Sequence, residues 1–134
     1  MNEKLELLRS KKGFICDMDG VIYHGNRLLE GVPEFVEWLQ KENKSFLFLT
    51  NSSERSPLEL QQKLARMGIA VPRERMLISN GVAADYMLSH HPGARVFVLG
   101  TPLLRRELAA FGLEIVEDAP DAVLGGFDTT LEYN

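Results

Sequence analysis

Short apolar runs, each broken by polar turn residues, recur along the chain. Gly13–Cys16, Ser45–Asn51, Met76–Ser79 and Arg95–Gly100 each read as a buried strand. Between them the apolar period changes from two residues to helical spacing. Val32, Phe35, Val36 and Leu39 form one stripe, extended by Trp38, with Pro33 in the first turn after Gly31. Ser56-Pro57-Leu58-Glu59 is a capping box that opens a helix carrying Leu60, Leu64 and Met67, closed by Gly68. A third helix is predicted over Val82–His90. A fourth follows Thr101-Pro102, carries Leu104, Leu108 and Phe111, and ends at Gly112. Leu113–Glu117 and Ala122–Gly126 supply two more short strands, and Val21–Leu29 folds back around His24-Gly25-Asn26 as a hairpin or flap. Met1–Lys12 is a charged, helix-favouring lead-in. Helices alternating with buried strands predict an α/β fold with a parallel sheet built from right-handed crossovers. No repeat or linker divides it, so residues 1–134 are expected to form a single domain.

Composition narrows the function classes. The chain has 134 residues, 45% hydrophobic and 25% charged, which supports a core without disulfides or structural metals. A net charge of −4 argues against nucleic acid or a membrane surface as a partner held by bulk electrostatics. The single Cys16 precludes an internal disulfide and suits a reducing compartment, so the cytoplasm is expected. Cys16 itself reads as a small core residue.

The chemistry concentrates where the first apolar run meets Asp17-Met18-Asp19-Gly20. The run predicts Asp17 at the carboxyl end of a strand, with Asp19 in the loop beyond, where open α/β sheets bind ligands. Two carboxylates so close repel unless a hard cation joins them, and magnesium with oxygen ligands is the usual one. The same letters also make ordinary turns. A calcium helix–loop–helix is excluded because Ile22, Tyr23 and His24 stand where further acids are needed. Thr50 follows Asp17 by about one strand–helix–strand unit, so adjacent parallel strands would bring Asp17, Asp19, Thr50 and Asn51 to one sheet edge. Carboxylates, a hydroxyl, an amide and loop N–H groups suit a phosphoryl group. Ser52-Ser53 is a competing pair of hydroxyl nucleophiles, and His90-His91 do not share a helix face, which disfavours a metal there.

With Asp17–Tyr23, Leu49–Pro57, Val96–Pro102 and Asp121–Asp128 in view, the sequence resembles the haloacid dehalogenase-like hydrolases. The likeness is to their p-nitrophenyl phosphatase and nucleotide or sugar phosphatase branch, which carries a large α/β cap. The resemblance implies a Rossmann-like three-layer parallel sheet, incomplete, with the cap domain absent and the chain ending where a cap would begin. It implies a magnesium-dependent phosphate monoester hydrolase working through an aspartyl-phosphate on a small phosphorylated substrate. Asp17 resembles the nucleophile and Asp19 the acid/base. The Asp17 carboxylate and the Asp19 carbonyl would touch Mg2+, and Gly20, Thr50, Asn51 and Ser52 would hold the phosphoryl group. Ser52 departs from the second Asn common in that branch. The lysine and later acidic motif of the family have no counterpart after Lys63, unless Glu117-Asp118-Ala119-Pro120-Asp121 is that motif displaced. A non-catalytic phosphate-binding module and a phosphotransferase therefore stand as alternatives. The strand that would flank the Asp17 strand is also missing, so a homo-oligomer through an exposed sheet edge is expected.

Overall fold

The structure is a computed structural model and describes residues 2–128. It is a mixed α/β fold with parallel sheets, and its elements follow the alternation in the sequence. In chain order they are α1 (Glu3–Arg9), β1 (Gly13–Asp17), β2 (Tyr23–His24), β3 (Arg27–Leu28), α2 (Val32–Lys41), β4 (Ser45–Thr50) and α3 (Pro57–Met67). After a 3-10 turn at Arg73–Arg75 come β5 (Met76–Ile78), α4 (Ser79–His90), β6 (Arg95–Leu99), α5 (Pro102–Ala110), β7 (Glu114–Ile115) and β8 (Ala122–Gly125). No helix among the described residues is long and apolar enough to cross a membrane. The chain forms two compact units, one of Met1–Thr50 with Gln61–Met76, the other of Asn51–Leu60 with Leu77–Asn134.

In the first unit β1 and β4 pair in parallel, with Gly13 opposite Ser45 and Asp17 opposite Leu49. On β4, Phe46, Phe48 and Thr50 are buried while the alternate residues are not, the two-residue period of a pleated strand. The predicted stripe of α2 is present, with Val32, Val36 and Leu39 buried. Gly31 occupies the left-handed region before it (φ 83°), a conformation that favours glycine, and Pro33 sits in its first turn. Phe14 of β1 meets Phe35 and Trp38 of α2 edge-on, with centroids 6.2 and 5.4 Å apart. The capping box of α3, in the Asn51–Leu60 segment of the second unit, forms as expected: Ser56 N donates to Glu59 Oε2 and Glu59 N to Ser56 Oγ.

In the second unit β6 is flanked by β7 and β8, all parallel, and Val96 and Val98 of β6 pack with Ala84, Leu104, Leu108 and Leu113. Helix α4 begins at Ser79 rather than Val82, and the predicted strand correspondingly stops at Ile78. Ser79-Asn80-Gly81 looks like a turn in sequence, but no side chain caps this helix, whose N-cap is Ile78. Phe111, predicted on the buried stripe of α5, instead caps that helix and is exposed. Gly126 is needed for close approach. A Cβ there would overlap Leu104 Cδ2 and lie 3.0 Å from Ser53 Oγ. Leu104 is fully buried, so it has little room to yield. Gly126→Ala is expected to cost about 1–3 kcal/mol as overpacking, read as a lower urea midpoint at unchanged slope.

Candidate active site

The end of β1 is organised around the carbonyl of Met18, whose side chain is completely buried. That one oxygen accepts from the amides of Val21, Ile22 and Tyr23 at 3.2, 2.9 and 3.3 Å. The chain therefore curls tightly after the strand, which Gly20 permits by adopting φ 77°. Met18 points inward, so its neighbours Asp17 and Asp19 both lie exposed. Asp17 Oδ1 accepts from the Met18 amide at 2.9 Å, which fixes the rotation of that carboxylate. Thr50, the last residue of β4, is buried, and its Oγ1 donates to Asp19 Oδ2 at 3.3 Å. The first unit thus brings Asp17, Asp19 and Thr50 together, as parallel pairing of β1 with β4 requires.

Gly20 serves differently from the expectation. Its amide already donates to Tyr23 O at 2.8 Å, so it is engaged in the loop and is not held out to a phosphoryl oxygen. Its contribution is the turn. Asn51 and Ser52 follow Thr50 in the chain and belong to the second unit. There Asn51 is exposed and its carbonyl accepts from Ser79 Oγ at 3.3 Å, while Ser52 is half-buried. The competing nucleophile Ser53 is occupied: its buried hydroxyl donates to Phe127 O and accepts from Phe127 N, at 3.1 and 2.9 Å. That makes Ser53 a tether. Cys16 is half-buried, and burial pushes its thiol pKa up, which keeps it protonated and unreactive.

One residue pair near the site escaped the sequence reading. Lys63 of α3 is buried with its ammonium 4.0 Å from the centre of the Tyr23 ring. Tyr23 is bridged to Asp19 and receives the Gly20 amide, so this contact braces the loop that carries the second carboxylate. The available signal was a lysine inside the stripe Leu60, Leu64, Met67.

Among the described residues no group of three or more His, Cys, Asp or Glu gathers around one point. Magnesium asks for less: one or two carboxylates, with waters and substrate phosphate completing the shell. Two exposed carboxylates, one of them with an oxygen fixed by a backbone amide, fit that donor set.

A family model described as haloacid dehalogenase-like hydrolase matches residues 14–114. The chain is 32% identical over 127 residues to an acid sugar phosphatase of Staphylococcus saprophyticus, covering 94% of this chain and 49% of that protein. The solved structure of a 4-nitrophenylphosphatase from Thermotoga maritima superposes with a TM-score of 0.86 at 41% identity, covering 95% of this chain and 49% of the other. A glycerol phosphate phosphatase from Mycobacterium tuberculosis, solved in complex with magnesium, gives 0.73 at 32% identity, with 91% and 37% covered. The chain spans about half the length, or less, of these relatives.

Proposed function

The chain belongs to the haloacid dehalogenase-like hydrolases, and on that premise we propose that it carries the nucleophile and acid/base of a magnesium-dependent phosphate monoester hydrolase. The carrying observation is the Thr50 Oγ1 to Asp19 Oδ2 hydrogen bond at the end of the β1–β4 pair. It sets a buried hydroxyl and two exposed carboxylates at one sheet edge. The magnesium complex of the M. tuberculosis phosphatase and the phosphatase names of the relatives support the same reading.

With Oδ1 held by the Met18 amide, Asp17 Oδ2 attacks phosphorus. The bond from phosphorus to the ester oxygen breaks, and Asp19 gives that oxygen its proton. The aspartyl-phosphate on Asp17 is then hydrolysed: Asp19, now a carboxylate, takes a proton from a water that attacks phosphorus, and the acyl phosphate bond breaks. Thr50 donates its one hydroxyl proton to the Asp19 carboxylate; while Asp19 is protonated, that hydroxyl can instead accept from Asp19 and turn its proton toward a phosphoryl oxygen. Asn51, one peptide further along, and Ser52 are the remaining proposed phosphoryl contacts. The Asp17 carboxylate and the Asp19 carbonyl would hold magnesium, which would supply charge neutralisation when bound. The lone Cys16 suits a reducing cytoplasm.

Thr50→Val keeps the shape of the side chain and removes its donor. It is expected to lower kcat/KM for p-nitrophenyl phosphate by about 10²-fold, the usual effect of deleting one preorganised donor, while Thr50→Ser retains most activity. Equal activity of wild type and Thr50→Val would remove Thr50 from the mechanism. Calorimetric binding of inorganic phosphate with no turnover in magnesium would instead identify a non-catalytic phosphate-binding module. Transfer to an added alcohol in place of water would identify a phosphotransferase.

A further inference from the structure

An ammonium group is costly to bury, and Lys63 is only 8% exposed on the buried face of α3, where Leu64 follows it. The helix itself does not call for a cation at that place, since a methionine or leucine would continue the apolar stripe. What the cation meets is the ring of Tyr23, 4.0 Å from its centre. Tyr23 is itself 3% exposed, so the contact is made out of water, where the attraction of a cation for an aromatic face is strongest.

The peptide of Tyr23 in turn encloses Asp19. Tyr23 N donates to Met18 O at 3.3 Å, and Tyr23 O accepts from Gly20 N at 2.8 Å. These are the residues on either side of Asp19, so Asp19 and Tyr23 form a parallel bridge. Tyr23 is anchored on its other side, opposite Leu28 of β3. Met18 and Ile22 are buried and hold the ends of the turn, whereas Asp19 and Gly20 between them are exposed. The carboxylate of Asp19 has its own support in Thr50 Oγ1. Thr50 therefore sets where that carboxylate points, and Tyr23 sets where its backbone stands.

We propose that Lys63 is a positioning residue for Asp19, acting through the Tyr23 ring. Its catalytic consequence rests on the phosphatase reading above, while its hold on the loop does not. In that reading Asp19 gives a proton to the ester oxygen as the bond to phosphorus breaks. A displaced Asp19 delivers that proton poorly, so esters whose leaving oxygen most needs protonation lose most.

Lys63→Met keeps the length of the side chain and removes the cation, and Lys63→Arg keeps a cation for the ring. Circular dichroism establishes that each variant is folded. Amide exchange followed by NMR reads the loop without reference to catalysis. In Lys63→Met the Gly20 amide is expected to exchange about tenfold faster relative to the amides of β4. In the same variant kcat/KM for phenyl phosphate is expected to fall by about 10–10²-fold, and that for 2,4-dinitrophenyl phosphate, whose leaving group departs as a stable anion, by less than about threefold. Lys63→Arg should recover most of both effects. Unchanged Gly20 exchange in Lys63→Met overturns the proposal. So does an equal loss on the two esters, which a merely structural role would give, or a Lys63→Arg protein as impaired as Lys63→Met. A wild type that hydrolyses neither ester fails the phosphatase reading, and the exchange rates alone then decide whether Lys63 holds the Asp19 loop.

Discussion

On the proposed mechanism, Asp17→Asn is expected to lower magnesium-dependent hydrolysis of p-nitrophenyl phosphate by about 10³-fold or more, the scale seen when a covalent nucleophile is removed. The substitution keeps the size of the side chain, and its amide oxygen can still accept the Met18 N–H that now reaches Asp17 Oδ1 at 2.9 Å. What disappears is the second anionic oxygen, the atom proposed to attack phosphorus, together with the carboxylate charge proposed to hold the cation. Because Asp17 is exposed at a strand end, the fold has no stake in its charge, and thermal unfolding should be unchanged. Steady-state rates of the two proteins, measured at equal concentration, decide the matter. Equal rates would mean that another group performs the attack.

Phe48→Ala has the largest expected effect on stability. Phe48 is completely buried in β4 and packs on Phe46 with ring centroids 5.4 Å apart. Its removal costs the transfer energy of an aromatic side chain plus that of the cavity left behind, about 3–5 kcal/mol. A melting temperature lower by roughly 10–20 °C follows for a chain of this size. Phe48 lies two residues before Thr50 on the same buried face, so the strand end that positions Thr50 loosens as well. Urea unfolding checks the first consequence, and kcat/KM below the unfolding temperature checks the second.

The candidate site was legible because its signals are local. Asp17 and Asp19 are two apart at a strand end, so alternation alone sends both outward once Met18 turns in. Thr50 could be placed because a parallel neighbour one crossover away ends at the same edge. The use of the Gly20 amide could not be read, since it depends on how the loop closes on Tyr23 O. The same holds for Lys63, whose burial makes sense only when the Tyr23 ring is in place beneath it. The early start of α4 was hidden for the opposite reason. A helix whose N-cap is Ile78, with no capping side chain, leaves no mark in the sequence. Gly126 likewise carries no local signature, because the constraint on it comes from Leu104 and Ser53.

The central claim is that phosphorus becomes bonded to Asp17. Rapid acid quench of the magnesium-loaded protein during turnover, followed by peptide mass spectrometry, tests it directly. The account predicts one added phosphoryl group on the peptide containing Asp17, and none in Asp17→Asn. A phosphoryl group on Ser52 or another residue, with Asp17 unmodified, would contradict it.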